Sequence, residues 1–447
     1  MKANLERGSK KLINGWAMYD WANSVYSLVI TTTIFPIYYL TITNATNDQS
    51  QPISFFGLMV DNVSLFSYAL SAAFLVIAII SPLLSGIADY SGRKKLFMQI
   101  FCYLGSAACA SLFFFDGITN TEVGIIAFGV AAIGFTGSIV FYNAYLPEVA
   151  FPHQQDRVSA KGFSLGYIGS VLLLLVNLAM VMKPELFGLQ EGTMPARISF
   201  LMVGLWWFGF AQITFARLPA NVFKKKVTGN YLFQGYRELL GVVRTMLKDR
   251  TLQPFLISFF FFSMGLQTIM YLATTFAKQE IALEDSMLIV ITLIIQIVAI
   301  GGAYLFSWLS SKLGNLRALV IAMVIWMGVV IAVFFVYTQG PFIAVAAVVG
   351  LIMGGSQSLT RSTYSKLLPE TTDHASYFSF YDVSEKVAIV LGTLTYGLLN
   401  EWTGSLRATL WPLLGFFVIA LIVLLVVFKV GDRERLSQIA PLRPSAD

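Results

Sequence analysis

The chain reads as an all-α membrane protein of twelve transmembrane helices in two pseudo-symmetric six-helix bundles, with both termini in the cytoplasm. Three observations predict this. First, 57% of its 447 residues are hydrophobic and 12% are charged, with a mean hydropathy of +0.72, whereas a soluble domain is about a quarter charged. Second, the stretch Gly86–Lys95 (G-I-A-D-Y-S-G-R-K-K) recurs in degraded form at Trp308–Arg317 (W-L-S-S-K-L-G-N-L-R), and Leu146-Pro147-Glu148 recurs at the same offset as Leu368-Pro369-Glu370. Two landmarks at one spacing mark a duplicated membrane unit, a construction that places a site between the copies. Third, lysine and arginine fall almost entirely on one side of the spans.

The elements follow in order. Apolar spans lie near 16–42, 63–88, 96–115, 122–146, 162–182, 198–216, 253–277, 286–308, 318–337, 342–366, 376–399 and 407–429, each about the 20 residues that cross a bilayer core. With the N-terminus inside, the inner connections and tails hold Lys2, Arg7, Lys10, Lys11, Arg93, Lys94, Lys95, Arg157, Lys161, a block from Arg217 to Arg250, Lys312, Arg317, Lys366, Lys429, Arg433, Arg435 and Arg443. The outer connections hold only Lys183, Arg197, Lys278 and Arg407. This asymmetry sets the orientation. The first span lacks a small-residue cleavage site and reads as a retained helix. The domains expected are residues 1–216 as the first bundle, 217–252 as a cytoplasmic linker, 253–429 as the second bundle and 430–447 as a cytoplasmic tail. The linker opens on Lys224-Lys225-Lys226. It then carries a helical apolar stripe of Leu232, Tyr236, Leu239, Leu240, Val243 and Leu247 opposite Arg237, Glu238, Arg244 and Lys248, so a helix lying along the inner leaflet is predicted. Cys102 and Cys109, seven apart in an apolar run, read as inert buried thiols.

The turn carrying Gly86, Asp89, Gly92, Arg93 and Lys94 falls between the second and third spans. There it resembles the signature loop of the major facilitator superfamily. Tyr19-Asp20-Trp21-Ala22-Asn23-Ser24, Tyr142-Asn143-Ala144-Tyr145-Leu146-Pro147, Arg157-Val158-Ser159-Ala160-Lys161-Gly162-Phe163 and Phe380-Tyr381-Asp382-Val383-Ser384 resemble the branch related to the fungal vacuolar amino-acid effluxer. The superfamily resemblance implies a cytoplasmic gate of Gly86, Asp89, Gly92, Arg93 and Glu148. In it Asp89 faces the N-terminus of the eleventh span and Arg93 pairs with Glu148, while Lys94 and Lys95 serve orientation. In the second copy Ser311 replaces the aspartate, so a weaker gate is expected there.

Ionisable groups at membrane depth line cavities or are paired. Candidates for substrate binding or coupling are Asp20, Asn23, Tyr26, Asn143, Gln267, Gln357, Arg361, Asp382, Glu385 and Lys386, with Tyr142, Asn177, Tyr271 and Gln296 as surrounding polar groups. Asp20 and Asn23 share a helix face one turn into the first span. Asp382 and Lys386 are an i,i+4 pair, which is either a structural ion pair or part of the site. Either way one carboxylate is left over, and Arg361 is a partner for it. The reading is a proton relay at Asp20 or Glu385, with Arg361 gripping an anionic group in bidentate fashion.

Other classes fall away. Gly162-Phe163-Ser164-Leu165-Gly166 has the spacing of a hydrolase elbow but lacks the strand–turn–helix setting, and it reads as a helix-packing face with Gly169. His153 and His374 alone make no metal site, and there is no Gly-Lys phosphate loop. The expected function is secondary active transport of a small polar solute, an amino acid or related zwitterion, by alternating access with proton coupling and Na⁺ as the other ion in play. No cofactor, metal, nucleic-acid partner or enzymatic activity is expected. The chain is read as a monomer with a small-molecule substrate and lipid neighbours in a bacterial-type inner membrane. Alternatives are an exporter of amphiphiles or lysolipids, and a non-transporting receptor with a carrier fold.

Overall fold

A computed structural model of the chain describes residues 6–43, 52–220 and 231–439. Its helices are α1 (Lys10–Thr43), α2 (Asn62–Ser91), α3 (Lys94–Ser111), α4 (Thr121–Ala144), α5 (Pro152–Met182), α6 (Met194–Arg217), α7 (Tyr231–Lys248), α8 (Leu252–Glu280), α9 (Asp285–Leu313), α10 (Asn315–Phe334), α11 (Gln339–Leu367), α12 (His374–Thr403) and α13 (Leu410–Ile439). Among the described residues, eleven are long and apolar enough to cross a membrane. The twelfth crossing helix, α12, misses that measure because Asp382, Glu385 and Lys386 interrupt its inner half and Asn400 and Glu401 its outer end.

Local chemistry sets the boundaries. Ser9 caps α1 by accepting the Leu12 N–H, and Asp61 caps α2 by accepting the Ser64 N–H at 2.8 Å. Gly92 ends α2 at φ 67°, a left-handed position that favours glycine. Within α1 the residues Tyr26–Thr33 widen into a π-helix. The widening immediately precedes Pro36, which has no N–H to continue the α-helical ladder. A short hairpin, β1 Pro52–Phe55 and β2 Leu58–Asp61, pairs antiparallel. It turns at Phe56 and Gly57, both at positive φ, the geometry of a tight hairpin. The apolar pattern gives no sign of it.

Packing between the two copies repeats itself. Helix α5 lies against α9 and α11, and α12 lies against α2 and α4. Under the sequence offset α5 corresponds to α12, α2 to α9 and α4 to α11, so the two sets of contacts are equivalents. Glycines permit the closest approaches. A Cβ on Gly134 would fall 2.4 Å from the Gly105 backbone, and one on Gly354 would fall 2.1 Å from the Ala299 carbonyl. On α5, Gly162, Gly166 and Gly169 meet Asp20, Ser24 and Trp21 of α1, which makes this stripe a packing face.

Helix α7 forms where the stripe predicts, but it also packs on α2. A Cβ on Gly86 would lie 2.4 Å from the Gly235 carbonyl. Gly235 and Val242 are buried against the protein, whereas Tyr236, Leu240 and Leu247 of the stripe stay exposed. Lys224–Lys226 lie outside the described residues, as does the Leu232 side chain.

Candidate functional site

A cavity of about 260 Å³ lies between the two copies, lined by α1, α2, α4, α5, α8, α9, α11 and α12. Of the residues singled out from sequence, Asp20, Asn23, Tyr26, Tyr142, Asn143, Gln267, Gln296, Gln357, Arg361, Glu385 and Lys386 line it. Asp382 sits behind Lys386 and does not. Asn177 is fully buried elsewhere, with neither polar side-chain atom partnered. The Tyr271 side chain is outside the described set.

The floor is a latch between the copies. Arg361 of α11 is 3% exposed. Its Nε donates to Ser159 Oγ and its Nη2 to the Ser159 carbonyl, both at 2.9 Å. Nη1 and Nη2 each reach Asp20 Oδ2 at 3.3 Å, and Nη1 also reaches Asn143 Oδ1 at 3.3 Å. The Tyr142 hydroxyl donates to the same Asp20 oxygen at 2.7 Å. The guanidinium sits 4.1 Å from the Phe163 ring centre and 5.0 Å from that of Trp16, and Gly162 leaves the room, since a Cβ there would fall 2.4 Å from Asp20 Oδ2. This corrects two expectations. Asp20 is ten residues into α1, nearly three turns, because the helix starts at Lys10. Arg361 pairs with Asp20, and its fork is filled by protein rather than left open for a substrate carboxylate.

The wall on α12 holds the other charges. Lys386 Nζ lies 2.8 Å from Glu385 Oε2 and 3.4 Å from Asp382 Oδ1, and Gln267 Nε2 donates to Glu385 Oε1 at 2.8 Å. Both carboxylates therefore stay on Lys386, and neither crosses to Arg361. Tyr167 donates to Gln357 Oε1 at 2.9 Å.

Below the floor, the inner side is shut by two clusters. In the first, Asp89 accepts the N–H groups of Ala375 (3.2 Å) and Ser376 (2.7 Å) at the N-terminus of α12, where unpaired donors and the helix dipole favour a carboxylate. Glu148 binds Lys94, which also lies 3.9 Å from Asp89, and His374 Nδ1 at 3.0 Å. This reverses the expected roles: Lys94 is the buried cation, and Arg93 is exposed at the start of α3. The alternation of the helix start decides it. Arg93 is the N-cap and points away, while Lys94, the first helical residue, turns inward.

In the second cluster the acid missing at Ser311 is supplied from the other copy. Asp156 of α5 accepts Ser310 Oγ at 2.9 Å, Asn315 Nδ2 at 2.7 Å and Lys366 Nζ at 2.7 Å. Lys366 also donates to Asn315 Oδ1 at 3.0 Å. The gate in the second copy is thus no weaker in contacts than the first. Asp156→Asn is expected to cost the inner-closed form about 1.5–3 kcal/mol, the worth of hydrogen bonds to a charged group. Spin labels at Arg93→Cys and Lys312→Cys, with Cys102 and Cys109 replaced, read this as a longer inner-side distance.

Sequence reasoning missed Trp16, Asp156, Ser159, Phe163, Tyr167, Lys366 and the partner of His374. The repeat offset was the available signal for Asp156, since it sets the start of α5 against the start of α12. Cys102 and Cys109 are buried and unpaired. Among the described residues no group of His, Cys, Asp and Glu is arranged to hold a metal ion.

Comparison with known proteins adds the family. The chain is 29% identical over 414 residues to the uncharacterized MFS-type transporter YxiO of Bacillus subtilis, covering 92% of this chain and 93% of that protein. It is 24% identical over 471 residues to autophagy-related protein 22-2 of Neosartorya fischeri, covering 85% and 75%. In fold it matches the transporter FucP in its outward conformation (TM-score 0.68, 13% identity, 93% and 97% covered) and the proton:xylose symporter XylE (TM-score 0.70, 14% identity, 94% and 95% covered). A profile of the family described as vacuole effluxer Atg22 like matches residues 8–435. This chain therefore belongs to the Atg22-like family of major facilitator transporters and is an integral multi-pass membrane protein, not an enzyme.

Proposed function

We propose that the protein is a secondary carrier that moves a small zwitterion, of the amino-acid class, by proton-coupled alternating access. The observation that carries this reading is the cavity between the copies: it has ionisable side chains on two sides and an inner end closed by contacts that run from one copy to the other. Rocking of residues 1–216 against 253–429 would break the Asp20–Arg361, Glu148–His374 and Asp156–Lys366 contacts together and open the cavity inward. In this cycle Glu385 carries the proton and Asp20 belongs to the latch. A monomer in a bacterial-type inner membrane is the setting proposed. The family description, vacuole effluxer Atg22 like, supports a transport role by similarity, and the amino-acid class rests on the resemblance of the sequence motifs to the fungal vacuolar amino-acid effluxer.

A second reading, export of an amphiphile, is favoured by Phe74, Phe135, Phe163, Phe259 and Phe262 on the cavity wall. Proteoliposomes with an imposed pH gradient separate the two. A mixture of amino acids is expected to move with the gradient in wild type, and Glu385→Gln to reduce gradient-driven flux to the leak rate. Movement that follows Na⁺ instead discards the proton relay. Movement of lysolipid but no amino acid selects the second reading.

A further inference from the structure

We propose that α7 is a clasp across the inner mouth, kept in place by anionic phospholipid of the inner leaflet, which binds its outward side at Arg237, Arg244 and Lys248. The inference rests on the rocking of the two copies in the carrier reading above and adds to it a regulating partner.

The clasp is tied to one copy and lies on the other. At its C-terminal end α7 joins α8 of the second copy through the short turn 249–251. There the Asp249 carboxylate accepts the N–H groups of Thr251 and Leu252, both at 2.8 Å, and so caps α8. The flank of α7, however, packs on α2 of the first copy. The two backbones meet with no side chain between them: a Cβ on Gly235 would fall 2.9 Å from the Ile87 nitrogen. Gly235, Leu239, Val242 and Met246 recur at helical spacing and form this inward side; Gly235 and Val242 are buried. Thr245 also lies beside the Tyr377 phenol of α12, near the helix start that Asp89 of α2 holds. Opening the inner side separates α2 from α8 and α12, so α7 cannot stay with both.

The other sides of α7 face away from the protein. At about 100° per residue, Tyr236, Leu240, Val243 and Leu247 form the side next to the buried one, and Arg237, Arg244 and Lys248 the side beyond. Tyr236 is 52% exposed and Leu247 61%, and the three cations are exposed. Every exposed charged residue between 235 and 250 is a cation, Arg250 included; Glu238 and Asp249 are half-buried. An apolar side flanked by cations, on a helix at the inner face of an integral membrane protein, matches acyl chains beside anionic headgroups.

A ligand shifts an equilibrium only by binding one form better. Docked on α2, α7 presents its apolar side to acyl chains and its cations to headgroups together. Once α2 and α8 part, α7 follows one of them and loses that orientation. Anionic lipid therefore favours the inner-closed form.

The test uses the full chain with Cys102 and Cys109 replaced, in vesicles of phosphatidylcholine alone or mixed with phosphatidylglycerol. A nitroxide at Leu247→Cys reads lipid contact, from its accessibility to dissolved oxygen against that to a water-soluble nickel chelate. Labels at Arg93→Cys and Lys312→Cys read the inner-side distance, in the otherwise unchanged protein and with Asp156→Asn added. Phosphatidylglycerol is expected to place the Leu247 label in lipid and to raise the closed-to-open ratio by up to about fivefold per cation. The triple variant Arg237→Gln/Arg244→Gln/Lys248→Gln should lose that rise, and concentrated salt should weaken it. The inference is overturned if the Leu247 label stays in water in phosphatidylglycerol vesicles, or if the triple variant responds as the parent does. It is also overturned if soluble glycerol phosphate in phosphatidylcholine vesicles has the same effect. A distance that responds to Asp156→Asn but not to phosphatidylglycerol, in either background, overturns the inference and leaves the rocking intact. One unchanging distance in every variant and vesicle removes the rocking itself, and the inference with it.

Discussion

Replacing Arg361 by alanine opens the inner side of the protein. Asp20 would then be buried with the Tyr142 hydroxyl as its remaining strong donor, and the Ser159 carbonyl and Asn143 would lose their donors across the interface. Removing one partner of a buried ion pair costs about 3–5 kcal/mol, or about two to three and a half orders of magnitude in population. The cost falls on the inner-closed form, because Arg361 belongs to one copy and its partners to the other. Labels at Arg93→Cys and Lys312→Cys are therefore expected to shift to the longer inner-side distance. Asp20→Asn should do less, since an amide keeps a hydrogen-bond acceptor for the guanidinium. In the double variant Asp20→Asn/Arg361→Ala the penalties of the two single variants should fail to add, because both act through one contact. An unchanged distance in Arg361→Ala would show that the latch does not hold the closed form.

The second large effect separates two neighbouring basic residues. Lys94→Ala leaves Glu148 and Asp89 buried without that cation, with His374 as the remaining side-chain partner of Glu148 among the described residues. A loss of about 3–5 kcal/mol is expected by the same reasoning, read as a lower melting temperature and a longer inner-side distance. Arg93→Ala, at an exposed position, should stay within about 0.5 kcal/mol. The contrast is informative because the superfamily resemblance assigns the pairing to Arg93. Equal effects at the two positions would overturn the assignment to Lys94.

The membrane architecture follows from composition and period. Lipid-length apolar runs, the basic side of the membrane and the repeated landmarks require no knowledge of packing, because each element must satisfy its own backbone and present apolar side chains to lipid. The glycine stripe at 162, 166 and 169 was legible for the same reason: helical spacing places those residues on one face. Several cavity residues were legible as charges that lipid does not tolerate, among them Asp20, Arg361 and Glu385.

Which of those charges meet depends on how the helices pack. Asp20 and Arg361 are 341 positions apart, and nothing local distinguishes this pair from Arg361 with Asp382 or Glu385. The answer comes from α1, α5 and α11 converging at the floor while α12 faces them across the cavity. The same holds for Asp156, whose partners lie on α9, α10 and α11 of the other copy, and for Lys94, which turns inward because Arg93 occupies the cap. Helix formation is a short-range event, but pairing of buried charges is set by how the helices cross. That crossing depends on the closest glycine contacts between distant segments, and so it appears only once the chain is folded.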